Sequence, residues 1–600
     1  MNIAQNIERG SLLFAEKIAL IDANQSYTYK HINDYANRFA NALLGLGIHQ
    51  GDRVALLLPN CAEFVFAYYG TQKIGGIVVS INTSLLESEI RFILQHSGAK
   101  AIITTQTLRE HVLDHECSEL SYSIITGNHN SSDLSFNDLM QQANPKWVSC
   151  QMSSSDPAVI VYTSGTTGFP KGATLSHGNV ISNMYAKTHY LGIRPEDRLM
   201  LCVPLYHCFG QNAILNSGFN SCATVVLYPR FDPESIIPAL NRDHITLFFG
   251  APTAFIALCD KLQPADVQTV RYYLSAAAAL PVEIEKKWHD KFGLPIYQGY
   301  GLTETSPFAS YNHFYRYKLG SIGSPIENVE MKIVNIDDGT DLGPNELGEI
   351  VIKGPNVMLG YWNSEVDTQA VIKSGWFHTG DIGTMDEEGY FYIADRLKDM
   401  IIVGGTNIYP TEVEHILYQH PDIKEAAVYG VPDPLMGESV IATVVLKPNA
   451  EKNSSELKNF CEKRLAPLKV PTHFEFGETI PKSPTGKILK RVLRDEKLKQ
   501  NQNGFSEPIE LSLQNAFSID QIQSWVVSWM SAYVNNSQAS IEINQSFSDV
   551  GIDSLGVLSL SRELGRWIGL YIDPIAVWNC STIDHLVRYV FEEIEKRQRI

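Results

Sequence analysis

Residues 162–172 read Tyr-Thr-Ser-Gly-Thr-Thr-Gly-Phe-Pro-Lys-Gly and follow directly on an apolar run. Thr163, Ser164, Gly165, Thr166, Thr167 and Gly168 leave backbone N–H groups free to converge on an anion and add hydroxyl donors. Lys171 sets a point positive charge where it can meet phosphate oxygens. The string reads as a phosphate cradle, but not as a Walker A loop: no Gly precedes Lys171, and Gly172 stands where a magnesium-binding Ser or Thr would be. Further on, Tyr300-Gly301-Leu302-Thr303-Glu304 closes another apolar run and brings an aromatic face, a hydroxyl and a carboxylate to one place. Lys487 ends Ser-Pro-Thr-Gly-Lys, a rigid turn that exposes a long cationic side chain, although Lys482, Lys490 and Arg491 nearby would suit an ordinary solvated surface. Asp381 lies in a His-Thr-Gly-Asp turn, where Asp commonly serves as a turn former.

These groups need a scaffold. Runs at 53–59, 158–165, 223–229, 245–252 and 294–301 are apolar throughout and alternate with helical patterns. They predict strands covered on both faces, hence a large α/β body over 1–395. A smaller α+β unit is expected over 396–495, with strand-like stretches at 400–403 and 440–447. The polar, Asn/Gln-rich stretch that follows, broken by Gly504 and Pro508, reads as a linker over 496–514. Residues 515–600 are helical by pattern and predict a four-helix-bundle domain: Ile522, Val526, Trp529 and Tyr533 form one stripe, and Ile583, Leu586, Val587, Val590, Phe591 and Ile594 another. Ser581 with Asp584 resembles a helix-start capping pair. The 48 basic and 66 acidic residues leave a formal charge of −18, which speaks against nucleic acid as a partner. No apolar run is long enough to span a bilayer and no export signal is visible. The nine cysteines include no C-x-x-C pair and fit a reducing, cytoplasmic setting.

The motifs occur in the order found in the adenylate-forming superfamily of acyl-CoA synthetases, peptide-synthetase adenylation domains and firefly luciferases. After the phosphate loop come PLYHCFG (204–210), YQGYGLTETS (297–306), GEI (348–350), WFHTGD (376–381), DRLKDMIIVGGTNIYP (395–410) and PTGK (484–487). The chain resembles that superfamily over roughly residues 10–495. The resemblance implies ATP and Mg²⁺ as cofactors, with Tyr300 stacked on adenine, Thr303 at the phosphate and Glu304 holding the metal. It implies ribose recognition by Asp381, Arg396 near the same nucleotide, and Lys487 stabilising charge as a carboxylate attacks the α-phosphate. It further implies His207 as a gate beside the carboxylate and the incoming thiol, Lys398 as a hinge, and Gly404 and Gly405 beside a thiol channel. One departure stands out: where the family usually has Gly-Gly-Ala, this chain has Ser275-Ala-Ala-Ala-Ala279, so added methyls at Ala276 to Ala278 tighten the floor of the adenine or acyl site.

The acid itself is expected to lack an α-amino group. Amino-acid adenylation domains commonly place an Asp just after the Phe of the His-x-Phe stretch, whereas Phe209 here is followed by Gly210, Gln211 and Asn212, and an unpaired buried ammonium would be costly. Apolar stretches such as 248–252 suit a fatty acid. Gly551-Ile-Asp-Ser554-Leu-Gly resembles the phosphopantetheine attachment site of acyl and peptidyl carrier proteins. The expected activity is therefore activation of a carboxylic acid to acyl-AMP and its transfer to 4′-phosphopantetheine on Ser554. The expected partners are a phosphopantetheinyl transferase and a downstream polyketide synthase or peptide synthetase. GGTNIYP resembles CoA-using members, which leaves a ligase releasing free acyl-CoA as the serious rival. A non-catalytic scaffold and a luciferase-like oxygenase are weaker alternatives.

Overall fold

Each apolar run in the body forms a strand in this computed structural model: Arg53–Leu57, Pro157–Thr163, Thr224–Leu227, Leu247–Gly250 and Ile296–Tyr300. The structure describes residues 1–600 except 111, 113–118, 129–132, 164–169, 434–435, 505–516, 534–542, 551, 553, 569, 571, 573–575, 578–579, 581 and 599–600. Ser164, Gly165, Thr166, Thr167 and Gly168 of the expected phosphate cradle, and Ser581 of the expected cap, lie outside the described residues.

Two large sheets carry the body. In the nine-stranded one, Arg198–Leu201, Thr224–Leu227, Leu247–Gly250, Tyr272–Ser275 and Ile296–Tyr300 run parallel. In the eight-stranded one, Arg53–Leu57, Ile77–Ser80, Ala99–Thr105 and Pro157–Thr163 do the same. Thr224–Leu227, Leu247–Gly250 and Tyr272–Ser275 are buried at every residue, which is why their sequences show no alternation: both faces are covered. Parallel strands bring their C-terminal ends to one side, where open α/β sheets bind ligands. Gly250, Ser275 and Tyr300 each end a strand of the nine-stranded sheet. A separate five-stranded sheet contains the hairpin of Trp376–Met385 with Phe391–Arg396, in which Asp381 pairs directly with Arg396.

The chain forms two compact units: Met1–Met400, Ile408–Tyr429 and Ile441–Val492 make the first, and Ile401–Asn407, Gly430–Val440 and Leu493–Ile600 the second. The first contains both large sheets and the turn bearing Lys487. It also holds the helices Pro410–Tyr418 and Ser454–Glu462 and the parallel pairing of Ile441–Val444 with His473–Phe476.

The second unit holds the C-terminal helices Ile519–Tyr533, Ser554–Ile568 and Ile583–Gln598, with a single turn at Phe547–Val550. Their core combines Ile522, Val526 and Met530 with Val557, Leu560 and Leu564, and with Ile583, Leu586, Val587, Val590 and Ile594. Tyr533, expected on the buried stripe, is the last residue of its helix and is 41% exposed; its ring stacks on Trp529 at 5.0 Å. Asp584 pairs with Arg588 one turn on at 2.8 Å, while the hydroxyl of Thr582 accepts from the backbone N–H of His585. The helix Lys490–Gly504 runs into the polar stretch read as linker, whose Lys, Gln, Glu and Leu residues are good helix formers. Among the described residues no helix is long and apolar enough to cross a membrane, and the described cysteines are free thiols.

Candidate active site

Tyr300 ends its strand with its phenol donating to Asp381 Oδ2 at 2.8 Å, and Arg396 Nε donates to Asp381 Oδ1 at 2.8 Å. The hairpin register supplies the second contact, because Asp381 and Arg396 face each other across two antiparallel strands. Asp381 is buried, and burial, together with the neighbouring carboxylate, holds the Tyr300 phenol well above its ordinary range. The backbone turns sharply after Tyr300 at a position only glycine can fill: a Cβ on Gly301 would stand 1.8 Å from the Pro307 carbonyl oxygen. The short 3₁₀ turn Thr303–Thr305 follows, with Thr303 and Glu304 both buried.

Lys487 reaches this cluster from far along the chain. Its turn closes on itself through the bonds from Ser483 N to the Lys487 carbonyl and from Gly486 N to the Ser483 carbonyl, both 2.8 Å. Gly486 has φ +83, and its carbonyl accepts from the hydroxyl of Thr253 at 3.0 Å; an added Cβ would meet that hydroxyl at 2.4 Å. Thr253 lies in the first turn of the helix Pro252–Lys261, directly after the strand ending at Gly250. Burial, with the Arg396 charge beside it, pulls the Lys487 ammonium down to about 8, against an opposing pull from Asp381. His207 lies within Coulombic reach of Lys487: burial first, then that charge, pushes its imidazole down to about 4, so it is neutral near pH 7. The His207 Nδ1 accepts from Phe209 N at 3.1 Å. The π-helix Phe209–Asn216 follows at once, and its uncharged Gln211 and Asn212 are buried and bonded, Gln211 to Ser80 Oγ at 2.8 Å and Asn212 to the Ser306 carbonyl.

Thr163 and Lys171 pair across the hairpin that brackets the loop, and the Thr163 hydroxyl donates to the Lys171 carbonyl at 3.4 Å. The Lys171 ammonium sits 2.5 Å from Asp367 Oδ1 and 5.4 Å from the centre of the Tyr361 ring. The Lys171 charge and a bond from Ser364 hold the Asp367 carboxyl below its usual range. The Tyr361 phenol donates to Glu304 Oε1 at 2.9 Å. Lys171 and Glu304 are thus joined through one tyrosine, and Glu304 makes no ion pair among the described residues.

The alanine departure has a measurable backbone consequence. Ala277 takes φ +77, the left-handed region that favours glycine, so the chain keeps the turn and carries a methyl in it. In the second unit Gly404 and Gly405, at φ +55 and +79, form the two-residue turn between Ile401–Val403 and Thr406–Ile408, as a tight hairpin demands. Lys398 lies in the 3₁₀ turn Leu397–Asp399, just before the first boundary between the units at Met400. Ser554 begins the helix Ser554–Ile568, with Asp553 outside the described residues.

The structure therefore brings together Tyr300, Asp381, Arg396, Lys487 and His207, and separately Lys171, Tyr361 and Glu304. Thr253, Tyr361 and Asp367 escaped the sequence reading. Asp367 three residues after Ser364 looks like a helix-start pair, and the two do bond at 2.6 Å; nothing local announces the Lys171 contact. Thr253 and Tyr361 carry no signal of their own.

Comparison with known proteins fits this geometry. Residues 8–362 match the AMP-binding enzymes, 412–487 the AMP-binding enzyme C-terminal domain, and 525–590 the phosphopantetheine attachment site. The chain belongs to the AMP-binding enzymes of the adenylate-forming superfamily, with a fused C-terminal carrier domain, and is an AMP-forming acid–thiol ligase. It is 39% identical over 516 residues to the long-chain-fatty-acid–CoA ligase of Bacillus subtilis (strain 168), a match covering 80% of this chain and 92% of that protein. It is 35% identical over 471 residues to the feruloyl-CoA synthase of Amycolatopsis sp., covering 78% and 93%. The crystal structure of an anthranilate CoA ligase in complex with anthranoyl-AMP superposes with a TM-score of 0.78 at 30% identity, covering 83% of this chain and 97% of that one. Adenylation of a carboxylic acid with ATP and a covalent phosphopantetheine on the carrier, attached by a phosphopantetheinyl transferase, follow from these memberships.

Proposed function

We propose that the enzyme activates a fatty acid as acyl-AMP and loads it onto its own carrier, as the starting step of a polyketide, peptide or lipid assembly line. The observation that carries this reading is the Lys487 turn held on Thr253 beside Arg396 and Asp381, in a chain that also contains a carrier. In the first step a carboxylate oxygen of the acid bonds to the α-phosphorus of ATP as the bond to pyrophosphate breaks. Lys487 stabilises the charge gathered at that phosphorus. Asp381 holds the ribose, with Arg396 beside it, Tyr300 stacks on adenine, and Thr303 contacts the phosphate. Lys171 and the loop of Thr163 to Gly168 cradle the departing phosphates. Glu304, buried and without an ion pair among the described residues, suits Mg²⁺, which supplies charge neutralisation on the phosphates. Movement about Lys398 then exchanges the Lys487 turn for the segment of Gly404 and Gly405, and His207, kept neutral, swings aside as the gate.

Phosphopantetheine on Ser554 supplies the thiol: its sulfur bonds to the acyl carbon as the bond to the AMP phosphate oxygen breaks, and AMP and the thiol proton are released. A tethered acceptor gains from effective concentration. The second reading, release of free acyl-CoA, is favoured by relatives that are CoA ligases. Intact-protein mass measurement of the phosphopantetheinylated chain, given ATP, Mg²⁺, CoA and a mixed pool of acids, separates them. An acyl mass gain that vanishes in Ser554→Ala supports loading in cis; acyl-CoA in solution with no mass gain on the carrier establishes the rival.

A further inference from the structure

Lys187 places an amine in the packed apolar interior of the body. It lies four residues before the end of the helix His177–Leu191 and has no solvent exposure. Among the described residues no carboxylate pairs with it, and its hydrogen bond goes to the Ala213 carbonyl in the π-helix behind His207. An ammonium has three donors, so one carbonyl leaves most of its capacity unused. The rest of its surroundings are two aromatic faces, Phe249 at 4.4 Å and Phe308 at 5.2 Å. Burial alone drives the amine well below its ordinary range, the behaviour of a charge without a counter-ion.

Phe249 lies in a strand that ends at the candidate active site, and Phe308 lies in the irregular stretch just after the Thr303–Thr305 turn. Phe249 precedes Gly250, the strand end that leads into Thr253 and so to the Lys487 turn. The Phe308 backbone packs on Gly301 beside Tyr300, where a glycine Cβ would lie 2.9 Å from the Phe308 Cα. The Phe308 ring meets Phe209 edge to face at 5.8 Å, and the Phe209 N–H is bonded to His207. Tyr311, whose ring is 4.7 Å from Phe308, keeps a buried hydroxyl without a partner among the described residues. An aliphatic chain packed into this corner would leave these donors unanswered, an arrangement that costs binding energy.

We propose that Lys187 is a specificity-determining residue that selects a carboxylic acid carrying a second oxygen acceptor, a carboxylate or hydroxyl, at the end remote from the reacting carboxyl. The inference rests on the acid-activating reading and narrows its substrate class from plain fatty acids to oxygenated ones. It is tested in the full chain by ATP–pyrophosphate exchange with three series of straight-chain acids from four to twelve carbons: unsubstituted, ω-hydroxy and α,ω-dicarboxylic. The expected result is a kcat/KM at least about tenfold higher for an oxygenated acid than for the unsubstituted acid of equal length. Lys187→Met, similar in length and apolar, is expected to abolish or reverse that preference while retaining exchange with unsubstituted acids. Preference of the wild-type enzyme for unsubstituted acids overturns the proposal, as does an oxygenated preference that survives in Lys187→Met; should the variant fail to fold, the wild-type preference alone decides. Absence of exchange with every acid overturns the adenylation reading and this inference with it, a different result from exchange that ignores the far end of the chain.

Discussion

The candidate active site and the carrier domain are built on opposite plans. The site assembles polar side chains from strand ends, a hairpin and a distant turn, and each meets the next: the Tyr300 phenol donates to Asp381, Arg396 pairs with Asp381, and Lys487 lies beside both. Among the described residues the carrier has an apolar core drawn mainly from three helices, with its candidate attachment serine at the first residue of one of them. Chemistry that stabilises charge at phosphorus needs preorganised partners brought from many places. Presenting a prosthetic arm needs only a stable bundle with one serine in the right position.

That contrast makes the two regions separable by mutation. The largest effect is expected from Ser554→Ala: complete loss of carrier modification and acyl loading by intact mass, with ATP–pyrophosphate exchange unchanged. A fall in exchange would break the separation. Next, Lys487→Ala should slow acyl-AMP formation by about a hundred- to a thousandfold, the scale of losing one charge-stabilising donor. Thiolation from synthetic acyl-AMP should persist, and equal loss of both steps would show that Lys487 is not confined to the first.

The pH dependence sharpens the same point. In its proposed role Lys487 acts as an ammonium, and with its titration near 8 the kcat/KM for adenylation should decline roughly tenfold per unit above that pH. Lys487→Arg, which stays protonated, should flatten this limb at a lower overall rate. For stability the sign is opposite: the folded-state value lies below that of the unfolded chain, so between about 8 and the unfolded value the unfolded chain binds more protons and folding gains as pH rises. His207, neutral above about 4, should contribute no limb between pH 5 and 8.

Smaller effects probe contacts that touch neither reacting group. Asp367→Asn removes a partly exposed ion pair from Lys171 and should lower the KM for ATP a few-fold, since such pairs are worth about 0.2–1 kcal/mol. An unchanged KM would mean that Asp367 does not compete with phosphate. Ala277→Gly relieves a methyl in the left-handed region and should stabilise the body by roughly 1 kcal/mol, read as a rise in its thermal midpoint.

Much of the architecture was legible. Uniformly apolar runs announced strands covered on both faces, and the 3.6-residue stripes announced the carrier helices, because burial period is a local property of sequence. The exceptions were equally physical: Tyr533 lies at a helix end, and the polar stretch after Arg494 consists of residues that tolerate a helix. Within the site, the Tyr300 strand end and the Lys487 turn showed themselves through backbone chemistry that only certain residues permit.

Sequence by itself determined which groups are available: a Gly/Ser/Thr-rich stretch ahead of Lys171, a carboxylate beside an aromatic strand end, a lysine in a rigid turn and a serine heading a helix. Tertiary structure alone decided whom each one meets. Thr253 holds Gly486 across 233 positions, Lys171 finds Asp367 across 196, and Tyr361 reaches Glu304 across 57. It also decided that Lys187, one polar residue on an otherwise ordinary helix, is buried between Phe249 and Phe308 rather than solvated. The reason is that a motif records the conformations and donors of a short segment, whereas partner choice and the resulting shifts in charge depend on which segments the packing of the core brings into contact.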